Sequence, residues 1–158
     1  MASDRREWVL LAYRLPREPS TPRIALWRRL RRLGAVQILD GVAALPRDSR
    51  TQEQLEWLAD EALEAGGEAA VWFASPGSAA QERALAERMS TAVAAEYGVV
   101  VEAAHAARSK DLAGRKRTLA RLRRTLRTIR SRDYFPPPER ERALEAVEEL
   151  ASLVEVAS

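Results

Sequence analysis

Eleven of the chain's 26 Lys and Arg residues fall between positions 108 and 135, against two acidic residues. A guanidinium group donates in a planar fork that matches the oxygens of phosphates and other oxyanions, and each phosphate neutralised releases counterions. On a helix, at 100° per residue, Lys116, Arg123, Arg127 and Arg130 fall along one flank, and Arg117, Arg121, Arg124 and Arg132 on the far side. Leu112, Leu119, Leu122, Leu126 and Ile129 recur at steps of seven, three and four residues, an a/d-type seam. One helix, Lys110–Arg132, therefore has an apolar side to bury and basic sides to present, which is the arrangement of a polyanion-binding face. The competing assignments are a solvated coiled-coil face and neutralisation by the acidic segment that follows. In that segment Glu141, Glu145, Glu148 and Glu149 sit opposite its own seam of Ala143, Val147, Leu150 and Val154, so few can reach the arginines. A membrane-surface role fits less well, because the basic helix's seam lacks bulky aromatics.

A second basic patch, Arg28, Arg29 and Arg32, lies on a predicted helix after Pro22. Arg14, Arg17 and Arg23 flank the loop leading into it. Free N–H groups at a helix start together with guanidinium groups suit a tetrahedral oxyanion, while scattered arginines that keep the protein soluble are the plainer reading. Other chemistry finds little material. There is no cysteine, which removes disulfides and thiolate chemistry, and the lone His105 has no ligand partner at suitable spacing. No paired carboxylates, Ser/His/Asp set, glycine-rich phosphate loop or metal-ligand cluster is legible, so neither a catalytic nor a metal or cofactor site is expected.

The elements that must position these groups follow from periodicity. Trp8–Tyr13 is an apolar run too short for an ordinary helix and suits a strand covered on both faces. Pro16, Pro19 and Pro22 force Arg14–Ser20 into a loop. Thr21 can cap the next helix, whose apolar face is Ile24, Leu26, Trp27, Leu30 and Leu33 and which Gly34 ends. Val36–Leu39 and Val42–Leu45 form a hairpin about Asp40-Gly41. A helix from Arg50-Thr51 to Ala65 buries Leu55, Leu58, Ala62 and Leu63, and Ala69–Ala74 makes a second buried strand. The order β-α-β-β-α-β is that of a ferredoxin-like unit with an antiparallel sheet, the fold class being α+β. Trp8–Tyr13 and Ala69–Ala74 are expected as central, adjacent strands. Trp8, Trp27 and Trp72 are expected in the core, with Trp57 free.

Beyond the sheet, Ser78–Tyr97 reads as a helix with Leu85, Met89, Val93 and Tyr97 in register, and Gly98 followed by Val99–Val101 suggests a bend or short strand. The basic helix comes next. Phe135-Pro136-Pro137-Pro138 breaks it, and an acidic helix, Glu139–Val156, follows. The expected organisation is a ferredoxin-like domain over residues 6–76 and a helical extension over 77–158 packing on it. Charge alternates along the chain. Residues 1–40 hold nine Lys/Arg against four Asp/Glu, 41–107 four against eleven, and 136–158 two against six. Arg5 and Arg6 precede an apolar run that ends after six residues, short of a secretory leader, and no stretch approaches a membrane span. A cytoplasmic location with no membrane partner is the expectation.

The Trp-led first strand ending Tyr13-x-x-Pro16 carries a resemblance. So do the helix motif Trp27-Arg28-x-Leu30-x-x-Leu33-Gly34-Ala35-Val36 and the hairpin Asp40-Gly41-Val42-x-x-Leu45-Pro46. With Thr51–Leu58, Gly66–Trp72 and Arg132-Asp133-Tyr134-Phe135, they resemble the N-terminal region of ChrB proteins, bacterial chromate-resistance regulators. More distantly the arrangement is similar to the ferredoxin-like module of phenylacetate-operon repressors and of small CRISPR-associated nucleases. The resemblance implies a DNA-binding transcriptional regulator, or its N-terminal half, acting as a homodimer, with chromate as the oxyanion for Arg14, Arg17 and Arg23. A non-catalytic dimerisation or protein-interaction module that touches no nucleic acid is the alternative. The nucleases of the wider group place an aspartate at the end of the first strand, where this chain has Tyr13 and Arg14.

Overall fold

Trp8–Arg14 forms strand β1, and the chain continues through α1 (Thr21–Leu33), β2 (Val36–Leu39), β3 (Val42–Pro46), α2 (Ser49–Glu64) and β4 (Glu68–Ala74). Three helices follow: α3 (Ala79–Ala107), α4 (Leu112–Arg130) and α5 (Glu139–Ala157). The computed structural model describes residues 6–158, so Arg5 lies outside it. The chain divides into two compact units, one running to Ala86 and the other from Glu87 to Ser158, with the boundary inside α3.

The first unit is a four-stranded antiparallel sheet in the order β2-β3-β1-β4. Val9 and Leu11 of β1 stand beside Leu45 and Ala43 of β3, and all four are fully buried. Their alternates behave otherwise: Leu10 and Ala12 are half-buried, and the β4 partner of Leu10, Trp72, is 61% exposed. The sheet is thus sealed chiefly on one face. Helix α2, with Leu55, Leu58 and Ala62 buried, lies against β1 and β4 and meets α1. Trp8 is buried on the other face at the sheet's end, where its Nε1 and the Arg6 backbone N–H both donate to Glu82 Oε1, each at 3.1 Å.

Several expectations change here. β4 is adjacent to β1 as expected but lies at the sheet edge, not in its centre, and none of its residues is buried. The central place beside β1 belongs to β3. Trp27, expected in the core, is 49% exposed, and Ile24 and Leu63 are exposed too; α1 buries only Leu26 and Leu30. Thr21 is the first helical residue, preceded by Ser20 in helical conformation with no side-chain cap. The effective cap belongs to α2. Asp48 Oδ1 accepts from the Thr51 N–H at 2.7 Å, Thr51 Oγ1 accepts from the Asp48 N–H at 2.9 Å, and the Thr51 hydroxyl donates to Pro46 O at 2.7 Å. This reciprocal cap satisfies helix-end donors and joins α2 to β3.

At the hairpin, Gly41 has φ +79°, and its carbonyl accepts from the Tyr13 N–H at 2.8 Å. A Cβ there would lie 2.6 Å from the Tyr13 carbonyl oxygen. Gly41→Ala combines a left-handed backbone with that clash, so it should destabilise the first unit by more than about 1 kcal/mol. The check is the urea midpoint followed by circular dichroism, and an unchanged midpoint would refute it.

The second unit is a helical core built by the predicted seams. Leu119, Leu122, Leu126 and Ile129 of α4 cluster with Ala143, Ala146, Val147 and Leu150 of α5 and with Val93, Tyr97, Val100, Ala104 and Ala107 of α3. The bend or strand expected near Gly98 is absent. Helix α3 runs through it, and Val100 is buried in the core. A continuous apolar face outweighs the cost of one interior glycine, about 1 kcal/mol relative to alanine.

Candidate nucleic-acid interface

Helix α4 is started by Asp111, whose Oδ1 accepts from the Gly114 N–H at 2.8 Å. From there one side is held in the core, and rotation about the helix fixes what the other sides present. Lys116, Arg117, Arg121, Arg123, Arg124, Arg127 and Arg130 are all exposed. The side chains of the first six make no ion pair or hydrogen bond with another described residue. Arg117, Arg121 and Arg124 gather with Lys110 and Thr118 along an open groove of about 740 Å³. Lys110 Nζ donates to Thr118 Oγ1 at 3.2 Å, which holds its charge at one end of the groove.

Helix α5 does not neutralise this surface. Its Glu149 pairs with Arg108, and Arg132–Glu96, Arg140–Asp133 and Arg142–Glu139 are further ion pairs of the unit. Arg132 is thereby removed from the stripe where its spacing placed it. It follows the end of α4 and grips both carboxylate oxygens of Glu96. The adjacent Asp133, its side chain fully buried, accepts from the Tyr97 hydroxyl at 2.7 Å. The Arg132-Asp133 pair thus fastens the α4–α5 turn to consecutive residues of α3. Nothing in residue spacing signalled that Glu96 and Tyr97 were its partners.

The α1 patch is thinner. Arg29 pairs with Glu61, and the Arg31 guanidinium lies 4.9 Å from the centroid of Trp27. Arg28 and Arg32 are exposed. Arg14, Arg17 and Arg23 do not share one pocket. Arg14 pairs with Glu68 at 2.9 Å in a shallow depression on the strands, Arg23 borders a groove with Tyr13, Trp27, Gln37 and Asp40, and Arg17 is exposed. His105 is exposed as well. Among the described residues no group of three or more His, Asp and Glu side chains is placed to hold a metal ion, and no helix is long and apolar enough to cross a membrane.

The family described as "Protein ChrB, N-terminal" matches residues 23–157, which takes in most of α1 and both helices of the α4–α5 pair. The chain belongs to the ChrB N-terminal family. Protein ChrB of Cupriavidus metallidurans is 33% identical over 141 residues, covering 85% of this chain and 42% of that protein. The chain therefore spans less than half the length of this ChrB relative. No solved structure matches it. Both basic patches, and the Arg132–Phe135 turn, fall inside the ChrB match.

Proposed function

We propose that the chain is a DNA-binding module of a chromate-resistance regulator, and that α4 is its phosphate-contacting surface. The observation that carries the reading is the row Lys116, Arg117, Arg121, Arg123, Arg124 and Arg127, exposed and unpaired on a helix whose opposite side is buried. A cation with no carboxylate partner gives up little on meeting a phosphate, and the released counterions supply the affinity. The patch of Arg28, Arg29 and Arg32 makes a lesser contact, because Arg29 is committed to Glu61. We read the sheet as ferredoxin-like: its β-α-β-β-α-β order, with β1 and β3 central and all neighbours antiparallel, supports that assignment. Chromate as the oxyanion and the cytoplasm as the location rest on kinship with ChrB regulators. The role is binding, not catalysis.

The test is the affinity of the purified chain for unrelated duplexes, measured by fluorescence anisotropy across a range of salt. Contact with four to six phosphates gives a log K against log salt slope between about −3.6 and −5.4. Binding that is absent at low salt, or that ignores salt, overturns the reading in favour of a protein-interaction module.

A further inference from the structure

Among the described residues, strand β4 is an open sheet edge: it pairs with β1 in unbroken register along one side and has no strand on the other. From Ala69 to Ala74 it carries no charge, no proline and no bulge, while Trp72 and Phe73 are exposed, Phe73 at 44% under the Arg47 guanidinium. The opposite edge is different: β2 has four residues and a register shift between Gln37 and Leu39. Open edges are ordinarily blunted by such devices, because a bare row of N–H and C=O groups recruits another strand.

The residue sizes along β4 identify the recruit. When an antiparallel strand pair is related by a two-fold axis normal to the sheet, each residue and its mate face the same side. The axis must therefore pass midway between a residue and its own copy. Centring it on Val71, the midpoint of Glu68–Ala74, pairs all seven residues. Trp72 then stands opposite Ala70 of a second copy, Phe73 opposite Ala69, and Val71 opposite itself. Each large ring meets a methyl group, the large-against-small complementarity that lets facing side chains interdigitate. Moving the axis to Trp72 sets indole against indole. Moving it to Ala70 sets Trp72 against Glu68. Both leave only five residues paired.

We infer that β4 is a homodimer interface, through which two copies of this chain join their sheets into one of eight strands. This stands apart from the DNA reading and does not depend on it.

The chain has no cysteine, so Val71→Cys introduces the sole thiol. Directly opposed residues of an antiparallel pair have Cα atoms about 4.5–5.5 Å apart, within reach of a disulfide. Oxidised glutathione accepts the two thiol hydrogens and leaves as reduced glutathione, so the Val71→Cys chain should convert mostly to a covalent dimer. Leu39→Cys, on the other sheet edge, is the control and should form little covalent dimer. In sedimentation equilibrium the unmodified chain should be a dimer. Trp72→Lys should raise its dissociation constant about tenfold or more, with an unchanged circular dichroism spectrum. The inference is overturned if Val71→Cys cross-links no faster than Leu39→Cys or if the unmodified chain is monomeric. A dimer that tolerates Trp72→Lys also overturns it.

Discussion

Asp133→Ala should lower the melting temperature by roughly 10 °C, the largest loss expected from any single polar substitution in the second unit. The Asp133 carboxylate is fully buried, accepts from the Tyr97 hydroxyl at 2.7 Å and lies 3.9 Å from Arg140. Removing it strands a buried hydroxyl and a mostly buried guanidinium together, a cost of about 3 kcal/mol. The cluster is not ideal: Asp133 Oδ1 and Arg140 Nε find no hydrogen-bond partner among the described residues. Its contribution is therefore to fix the α4–α5 turn against α3, more than to add net stability. Asp133→Asn keeps an acceptor for Tyr97 and should cost less. The pH dependence separates the two parts. Burial, then the hydrogen bond to Asp133 and its charge, raise the Tyr97 hydroxyl above its ordinary value, against a smaller opposite pull from Arg140 and Arg130. Below the unfolded value of about 10, both states hold the proton and the contribution is complete. Above it the unfolded chain releases its proton first, so stability falls as pH rises. Tyr97→Phe should remove that alkaline loss. A melting temperature within about 2 °C of the parent for Asp133→Ala would show that the carboxylate's own desolvation cancels its bonds.

Local signals were legible wherever one residue type has one job. The Asp40-Gly41 turn, the Gly34 helix stop and the α4 and α5 seams stand where spacing put them, because backbone sterics and apolar period act over a few residues. Position within the sheet was not legible. An apolar run such as Ala69–Ala74 reads the same in a central strand as at an edge, and only the pairing of β1 with β3 decided between them. Trp27 and Trp72 failed likewise: a ring at core spacing is buried only if something covers it. Asp48 caps α2 from three residues before Thr51, one turn ahead of the Arg50-Thr51 start that the apolar spacing indicates. For the basic stripes, helical period told which arginines share a face. It could not tell which find a carboxylate, because that depends on distant residues such as Glu96 and Glu61.

That distinction sets the expected ranking of the two basic patches. Replacing Arg117, Arg121 and Arg124 by alanine removes three unpaired cations from one groove. For B-DNA this should flatten the slope of log K against log salt by between about two and three, and near 0.1 M salt weaken binding on the order of a few hundred-fold. The loss should be equal on unrelated duplexes, because phosphate contacts carry charge and no base reading. Arg123→Ala with Arg127→Ala, on the adjacent flank, should flatten the slope by a further one to two. Arg28→Ala, Arg29→Ala and Arg32→Ala together should do less. Arg29 is committed to Glu61, so its removal frees a carboxylate and changes the local charge without deleting an available phosphate contact. All these side chains are exposed, so circular dichroism should stay unchanged and affinity can be read directly. If the α1 substitutions abolish binding while the α4 groove set leaves the slope intact, the phosphates lie against α1 and the α4 assignment falls. If α4 acts by charge alone, Arg117→Lys, Arg121→Lys and Arg124→Lys together should keep the slope. A lost slope in that lysine variant would mean the contacts are bidentate and depend on the guanidinium fork.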